Sequence, residues 1–350
     1  MNLDDVRLGL AFDDVLLVPR RSGVRSRQDV SLATPLTRRV QLGVPIVAAN
    51  MDTVCEWEMA LALGRLGGIG IIHRFFTIEQ QAEQIRKVKG EGVLVGAAVG
   101  TDHDTLERSR AMVDEGCDVL VLDIAHGHSD HALDAVARIK REFPGTDLIA
   151  GNVATREGAL DLITAGADAI KVGVGPGGVC TTRLVAGVGV PQLTAINDCA
   201  ALDVPIIADG GIRTSGDIAK ALAAGGQSVM IGSMFAGTKE SPGEIEQSAH
   251  GLVKRVRGMA SFEAIRHRAE RQGTDIDEEY LEQRAPEGVE GTVNYKGSVV
   301  PLVQKLLAGL RSSMSYLDAQ TIAEFQANAR FVRVTQAGLT ESHPHATFRS

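Results

Sequence analysis

Residues 173–183 read Gly-Val-Gly-Pro-Gly-Gly-Val-Cys-Thr-Thr-Arg. Closely spaced glycines let a backbone approach a ligand or an ion, at a cost in conformational entropy. The segment ends on a thiol, Cys180, flanked by the hydroxyls of Thr181 and Thr182 and the cation of Arg183. A neighbouring cation or a helix N-terminus favours the thiolate, which is the nucleophilic form. A lone cysteine is more often a buried structural residue. One that closes a glycine loop is a candidate nucleophile. The other cysteines, Cys55, Cys117 and Cys199, are far apart and form no CxxC. Neither a disulfide framework nor a zinc ribbon is expected, and a reducing, cytoplasmic setting is the default expectation.

Two further segments combine glycines with polar groups. Asp209-Gly210-Gly211 offers a carboxylate for ribose hydroxyls, and Gly232-Ser233 offers backbone N–H groups for a phosphate. Plain turn glycines are the competing explanation. Asp123 ends the fourth apolar run and Asn152 follows the fifth, so both are expected at the same mouth. His126 and His128 suggest a metal, but no third ligand stands at a suitable spacing, so ligation there is not expected.

The elements that must position these residues are legible as short apolar runs at 45–49, 68–72, 93–99, 118–123, 147–150, 169–174, 205–208 and 228–232. Runs this short and this rich in Val and Ile suit strands buried on both faces, as in a parallel sheet. Segments 77–89, 104–115 and 215–224 carry helical spacing, the last with Ser215 as its expected N-cap. Strand–helix alternation repeated eight times predicts a (β/α)8 TIM barrel, one α/β catalytic domain over residues 1–350. An open doubly wound sheet is the alternative, but no GxGxxG follows the first strand. Barrel active sites lie at the C-terminal ends of the strands, which is where the candidate residues fall.

After the eighth run the pattern breaks. Residues 255–298 are charged with weak periodicity, which predicts a mobile flap. A helical stretch at 299–310 follows. The composition is ordinary for a globular chain, with 23% charged and 44% hydrophobic residues. A net charge of −8 argues against nucleic acid as the main partner. No apolar run approaches a membrane span, and no secretion signal is expected from the acidic N-terminus.

With these motifs in view, the chain resembles the inosine monophosphate dehydrogenase and guanosine monophosphate reductase superfamily. The most specific element is GVGPGGVCTTR at 173–183. FDDVLLVP (12–19), AANMDTV (48–54), AGNVAT (150–155), ADGGI (208–212), IGSMFAG (231–237), RGMAS (257–261), EGVEG (287–291) and ESHPH (341–345) support it. The resemblance implies that Cys180 attacks C2 of a purine mononucleotide and that hydride passes between C2 and a nicotinamide. It implies catalytic roles for Thr182 and Glu287, which would handle the proton of departing ammonia. Asp209 would bind ribose, and Gly211, Gly232 and Ser233 the phosphate. Gly258, Met259, Ala260 and Arg284 would also contact the substrate. Asp123, Asn152, Gly173 and Gly175 would border the nicotinamide. The carbonyls of Gly175, Gly177 and Cys180 resemble a potassium site. The ESHPH tail resembles a segment that completes a neighbour's cation site, which implies a homotetramer.

Two activities share this chemistry. Three features favour the NADPH-dependent reductase, which converts GMP to IMP. Residues 77–89 run straight on to Val93, with no CBS insert. The Arg-Tyr pair that activates water in the dehydrogenases occurs nowhere in the chain. AANMDTV and LDIAHGHSDH (122–131) look closer to reductase versions of those segments. Residues 284–297 and 336–345 look dehydrogenase-like and keep an NAD-dependent IMP dehydrogenase as the alternative. Gly178 and Val256 stand where the family usually has a serine and a tyrosine. Neither can bond a phosphate through its side chain, and a non-catalytic nucleotide-binding regulator is the remote third possibility.

Overall fold

The computed structural model describes residues 6–344, apart from 250, 276–278, 280, 282 and 284. Eight parallel strands close into a barrel in chain order. They are β1 Ile46–Ala48, β2 Ile69–Ile72, β3 Val95–Val99, β4 Val119–Asp123, β5 Asp147–Val153, β6 Ala169–Val172, β7 Ile206–Asp209 and β8 Ser228–Ile231. Each matches one of the eight apolar runs. Closure comes from β8 pairing with β1, where Val229 lies opposite Ile46.

These strands are covered on both faces, and almost every residue in them is buried. The exceptions are Asp123, Asn152 and Asp209, at or next to the C-terminal ends of β4, β5 and β7. Polar groups there reach the barrel mouth, while Val and Ile fill the layers beneath. Asn152 lies within β5 and not after it, because pairing with β6 continues to Val153.

The helices return the chain along the outside. They are α1 Trp57–Arg65, α2 Ile78–Lys89, α3 Thr105–Asp114, α4 Asp130–Glu142, α5 Arg156–Ala165, α6 Gln192–Cys199 and α7 Ser215–Ala223. Thr77 caps α2 in a reciprocal box with Gln80. The cap of α7 is Thr214, one residue before the expected serine; its hydroxyl accepts from Asp217 N–H while the Asp217 carboxylate returns to Thr214 N–H. Only a short connection joins α2 to β3, so no CBS module interrupts the barrel.

After β8 and a single helical turn at Ser233–Ala236, the excursion has secondary structure of its own from Glu246. Strands β9 Glu246–Ser248, β10 Gly251–Arg257 and β11 Glu290–Asn294 form an antiparallel sheet, with α8 Phe262–Gln272 between the last two. The eighth barrel helix, α9 Val299–Tyr316, comes only after this excursion and packs against α7 and α1. At the opposite end a small hairpin, Thr34–Pro35 with Gln41–Leu42, covers the N-terminal ends of the strands. Thr37 and Arg39 of that hairpin hold Asp147, the first residue of β5.

Candidate active site

The glycine loop leaves β6 and folds over the barrel mouth. Gly173 turns with φ +153°, and a side chain there would collide with the Asp209 carbonyl. Further along, Cys180 N–H donates to the Gly177 carbonyl at 3.1 Å. The loop is stitched to the start of β11. Thr181 N–H donates to the Glu287 carbonyl at 3.1 Å, and Val289 N–H to the Val179 carbonyl at 3.0 Å. Gly258 and Gly288 meet back to back, since a Cβ on Gly258 would come within 3.0 Å of Gly288 Cα.

This stitching sets up a line of three groups. Cys180 Sγ lies 3.3 Å from Thr182 Oγ1, and Thr182 Oγ1 donates to Glu287 Oε2 at 2.7 Å. With its own proton committed to Glu287, the Thr182 oxygen is left to accept from the thiol. A proton can therefore pass between sulfur and carboxylate through one hydroxyl. Cys180 is partly exposed, whereas Cys55, Cys117 and Cys199 are buried. Burial pushes the Cys117 and Cys199 thiols up to about 12, and the Cys55 thiol higher still.

A second cluster lies beneath the loop. Lys171, from β6, points its ammonium at Asp123 Oδ1 and Asp209 Oδ2, both at 2.8 Å, and at Asn152 Oδ1. Asn152 Nδ2 donates to Asp209 Oδ2 at 2.9 Å and to the Gly173 carbonyl at 2.8 Å. Burial works against ionisation of Asp123, but the Lys171 charge and hydrogen bond, with the Arg74 charge and the Asn50 hydrogen bond, together outweigh it and hold the carboxyl below its ordinary range. Gln192 Nε2 fixes the Asp209 backbone through its carbonyl at 3.0 Å. Gln192 lines the cleft, and its Oε1 is buried with no hydrogen-bond partner among the described residues.

Two adjoining hollows share Met51, Gly177, Val179 and Asp209 in their walls. One, of about 530 Å³, holds Cys180, Thr182, Glu287, Asp123, Asn152, Gly173 and Gly175, roofed by Gly258, Met259 and Ala260. The other, of about 300 Å³, holds Gly211, Gly232 and Ser233 together with Phe12, Asp13 and Arg213. Together they make one cleft across the barrel mouth. The structure thus gathers the residues singled out from the sequence, except Arg284, which lies outside the described residues. Gly178 faces Ser233, where an added Cβ would be 3.1 Å from its Oγ. Val256 is buried in the core and sends no side chain into the cleft. His128 pairs with Asp161 at 2.8 Å, and no cluster of three metal-ligating side chains occurs among the described residues.

Helix α8 docks on the rim through paired charges. Asp52 accepts from Arg257 Nε at 3.0 Å and pairs with His267 Nδ1 at 2.8 Å. Arg271 reaches Glu56 at 3.0 Å and stacks over Phe76 at 4.5 Å. Arg268 reaches Asp102 at 2.8 Å. Sequence reasoning does not single out Lys171, Gln192 or this latch. The lone cation in the run AIKVGV is the signal available for the first.

Residues 9–345 match the IMP dehydrogenase / GMP reductase domain. The chain is 42% identical to the inosine-5′-monophosphate dehydrogenase of Borreliella burgdorferi, with 97% of each chain covered. It is 39% identical to the GMP reductase of Leishmania major, with 96% of each covered. A solved GMP reductase from Trypanosoma brucei, a cysteine-to-alanine variant in complex with guanosine 5′-monophosphate, superposes with a TM-score of 0.93. It is 37% identical, and 99% of each chain is covered.

Proposed function

The chain belongs to the IMP dehydrogenase / GMP reductase family, an oxidoreductase family that uses a nicotinamide nucleotide, and from that premise we propose that it is an NADPH-dependent GMP reductase. The observation that carries this reading is the fate of the flap's charged groups. Hydrolysis of a Cys180–purine adduct needs a base aimed at a water beside the sulfur. The chain has no Arg-Tyr pair, and His267, Arg268 and Arg271 are each paired with a barrel carboxylate. Departure of ammonia, by contrast, needs a proton donor, which the Cys180–Thr182–Glu287 line supplies.

In this reading Cys180 loses its proton through Thr182 to Glu287, and its sulfur bonds to C2 of GMP. The same proton returns through Thr182 to the 2-amino group, which leaves as ammonia. NADPH supplies the hydride that reaches C2, the C–S bond breaks, and IMP and the Cys180 thiolate result. Asp209 takes the ribose, with Gly211, Gly232 and Ser233 at the phosphate and Asp123, Asn152 and Gly173 beside the nicotinamide. Arg213, at the phosphate end, is paired with Asp13 at 2.5 Å, and would have to share its guanidinium with the phosphate to replace the side-chain hydrogen bonds that Gly178 and Val256 are unable to make. Potassium at the Gly175, Gly177 and Cys180 carbonyls belongs to the same reading. In this conformation the Gly177 carbonyl already accepts one N–H. A homotetramer would cover Leu184, Val185 and Val188, which stand exposed beside the loop.

IMP dehydrogenase is the second reading, favoured by the dehydrogenase-like segment at 284–297 and by the Borreliella relative. One assay separates the two. Absorbance at 340 nm should fall with GMP and NADPH and stay flat with IMP and NAD. The opposite pattern would overturn the reductase reading. Silence with both pairs, together with tight GMP binding, would make the protein a binding module.

A further inference from the structure

Lys171 is an anomaly in its strand. It sits in β6 between Ile170 and Val172, which are fully buried, and is itself only 2% exposed. An ammonium has three donors and no acceptor. Here each donor has an acceptor on a different strand: Asp123 on β4, Asn152 on β5 and Asp209 on β7. A buried charge this well matched is costly to desolvate, and packing alone would be served as well by a leucine or methionine. Asp209 belongs to both hollows of the cleft, whereas Asp123 lines only the one with Cys180.

We propose that Lys171 is a positioning residue that joins the nucleotide half of the cleft to the nicotinamide half, fixing the orientation of Asp209 and Asp123 with one charge. By engaging Oδ2 of Asp209 and Oδ1 of Asp123, it fixes one oxygen of each carboxylate. It also fixes the Asn152 amide, whose NH2 then bridges Asp209 and Gly173. The three residues move as one unit, so disturbing either half disturbs the other. This inference rests on the reading that a purine nucleotide and a nicotinamide share the cleft.

The other charged groups facing the cluster are few. Arg74 acts on Asp123 through space, and Glu287 and Cys180 line the same hollow. Without the ammonium, Asp123 and Asp209 would be left as two carboxylates around an apolar side chain. Such a pair retains a proton well above the usual carboxylate range.

The test uses the whole 350-residue chain, with equilibrium binding of GMP and of NADPH measured from pH 5 to 8. Lys171→Met should weaken both ligands roughly tenfold or more, the scale of a lost charge-assisted hydrogen bond. Relative to the parent at the same pH, binding should improve as pH rises, beyond the change that the ligands' own phosphates give to both proteins. Because the residues act as one unit, Asp209→Asn and Asp123→Asn should each weaken both ligands, GMP the more in the first and NADPH the more in the second; a loss confined to one ligand in each variant would overturn the coupling. A folded Lys171→Met protein with parent-like affinities and the parent's pH profile would overturn the proposal. If that variant does not fold, Lys171→Arg decides. It keeps the charge and changes the geometry, so both affinities should fall severalfold with the parent's pH profile; parent-like affinities would show that only the charge matters and would overturn the positioning role. The readout is binding and not turnover. IMP oxidation by the parent would therefore sink the reductase reading and leave the Lys171 result intact.

Discussion

Cys180 differs from the other thiols of the chain in access and in company. Its neighbours are a hydroxyl at 3.3 Å and, through that hydroxyl, a carboxylate. Burial holds Cys55, Cys117 and Cys199 as thiols, so none competes as a nucleophile. The proposed relay divides the work in a way that two substitutions can separate. Cys180→Ala removes the bonding atom and leaves the cleft walls in place. Turnover should vanish, while GMP binding stays within about tenfold of the parent. Glu287→Gln keeps a hydrogen bond to Thr182 but cannot carry the proton. Turnover should fall by roughly 10²–10⁴, with ammonia release in a single turnover slowed far more than nucleotide binding. Steady-state rates and single-turnover ammonia measurements check both. Equal losses of binding and rate in the Gln variant would refute the relay.

At the scale of elements, the barrel strands are plain in the sequence because continuous Val/Ile runs have few other uses. Each run corresponds to one strand, and the polar residues closing three of them are the three partly exposed strand positions. The flap is opaque for the opposite reason. Helix α8 carries a basic face at positions 267, 268 and 271, and its partners Asp52, Glu56 and Asp102 lie more than 160 residues away in sequence. No local periodicity records a docking surface made of distant charges. Lys171 is visible as a charge out of place, but that it faces the barrel axis follows only from closure of the sheet. The latch has a titratable centre. Burial opposes ionisation of Asp52, yet His267 and Arg257 hold it down at about 2. Its folded value is thus depressed, so its stabilisation is complete above the ordinary value of 3.8 and is lost as pH falls through 2. Peptic cleavage within residues 246–298, normalised to an unfolded substrate, should accelerate between pH 4 and pH 2. Asp52→Asn should make the flap susceptible already at pH 4, because breaking a buried pair costs about 3–5 kcal/mol. A variant flap as resistant as the parent's at pH 4 would remove Asp52 from the latch.

The whole molecule separates support from chemistry along the barrel axis. The mouth concentrates partly exposed polar groups, and the opposite end is sealed by the 34–42 hairpin. Its seal is Asp147, which is buried and accepts from Thr37 Oγ1 at 2.5 Å, Arg39 Nε at 2.6 Å and Arg39 N–H at 3.1 Å. Burial pushes the Asp147 carboxyl up, but the Arg39 and Thr37 hydrogen bonds outweigh it and hold it below its ordinary value. That stabilisation is present above the ordinary carboxylate range and is lost on acidification below it. Asp147→Asn keeps the shape and removes the charge. It should lower stability by about 2–3 kcal/mol, the scale of hydrogen bonds to a charged group, and flatten the acid limb of the unfolding curve. Its kcat/KM should match the parent's, because β5 still delivers Asn152 to the mouth through pairing with β4 and β6. Urea midpoints at pH 4 and pH 7, with kcat/KM alongside, provide the check. Glu287→Gln should give the mirror image, intact stability with lost turnover. If Asp147→Asn instead lowers kcat/KM tenfold while remaining folded, the two ends of the barrel are coupled, and the mouth is not the self-contained unit that the Lys171 cluster makes it.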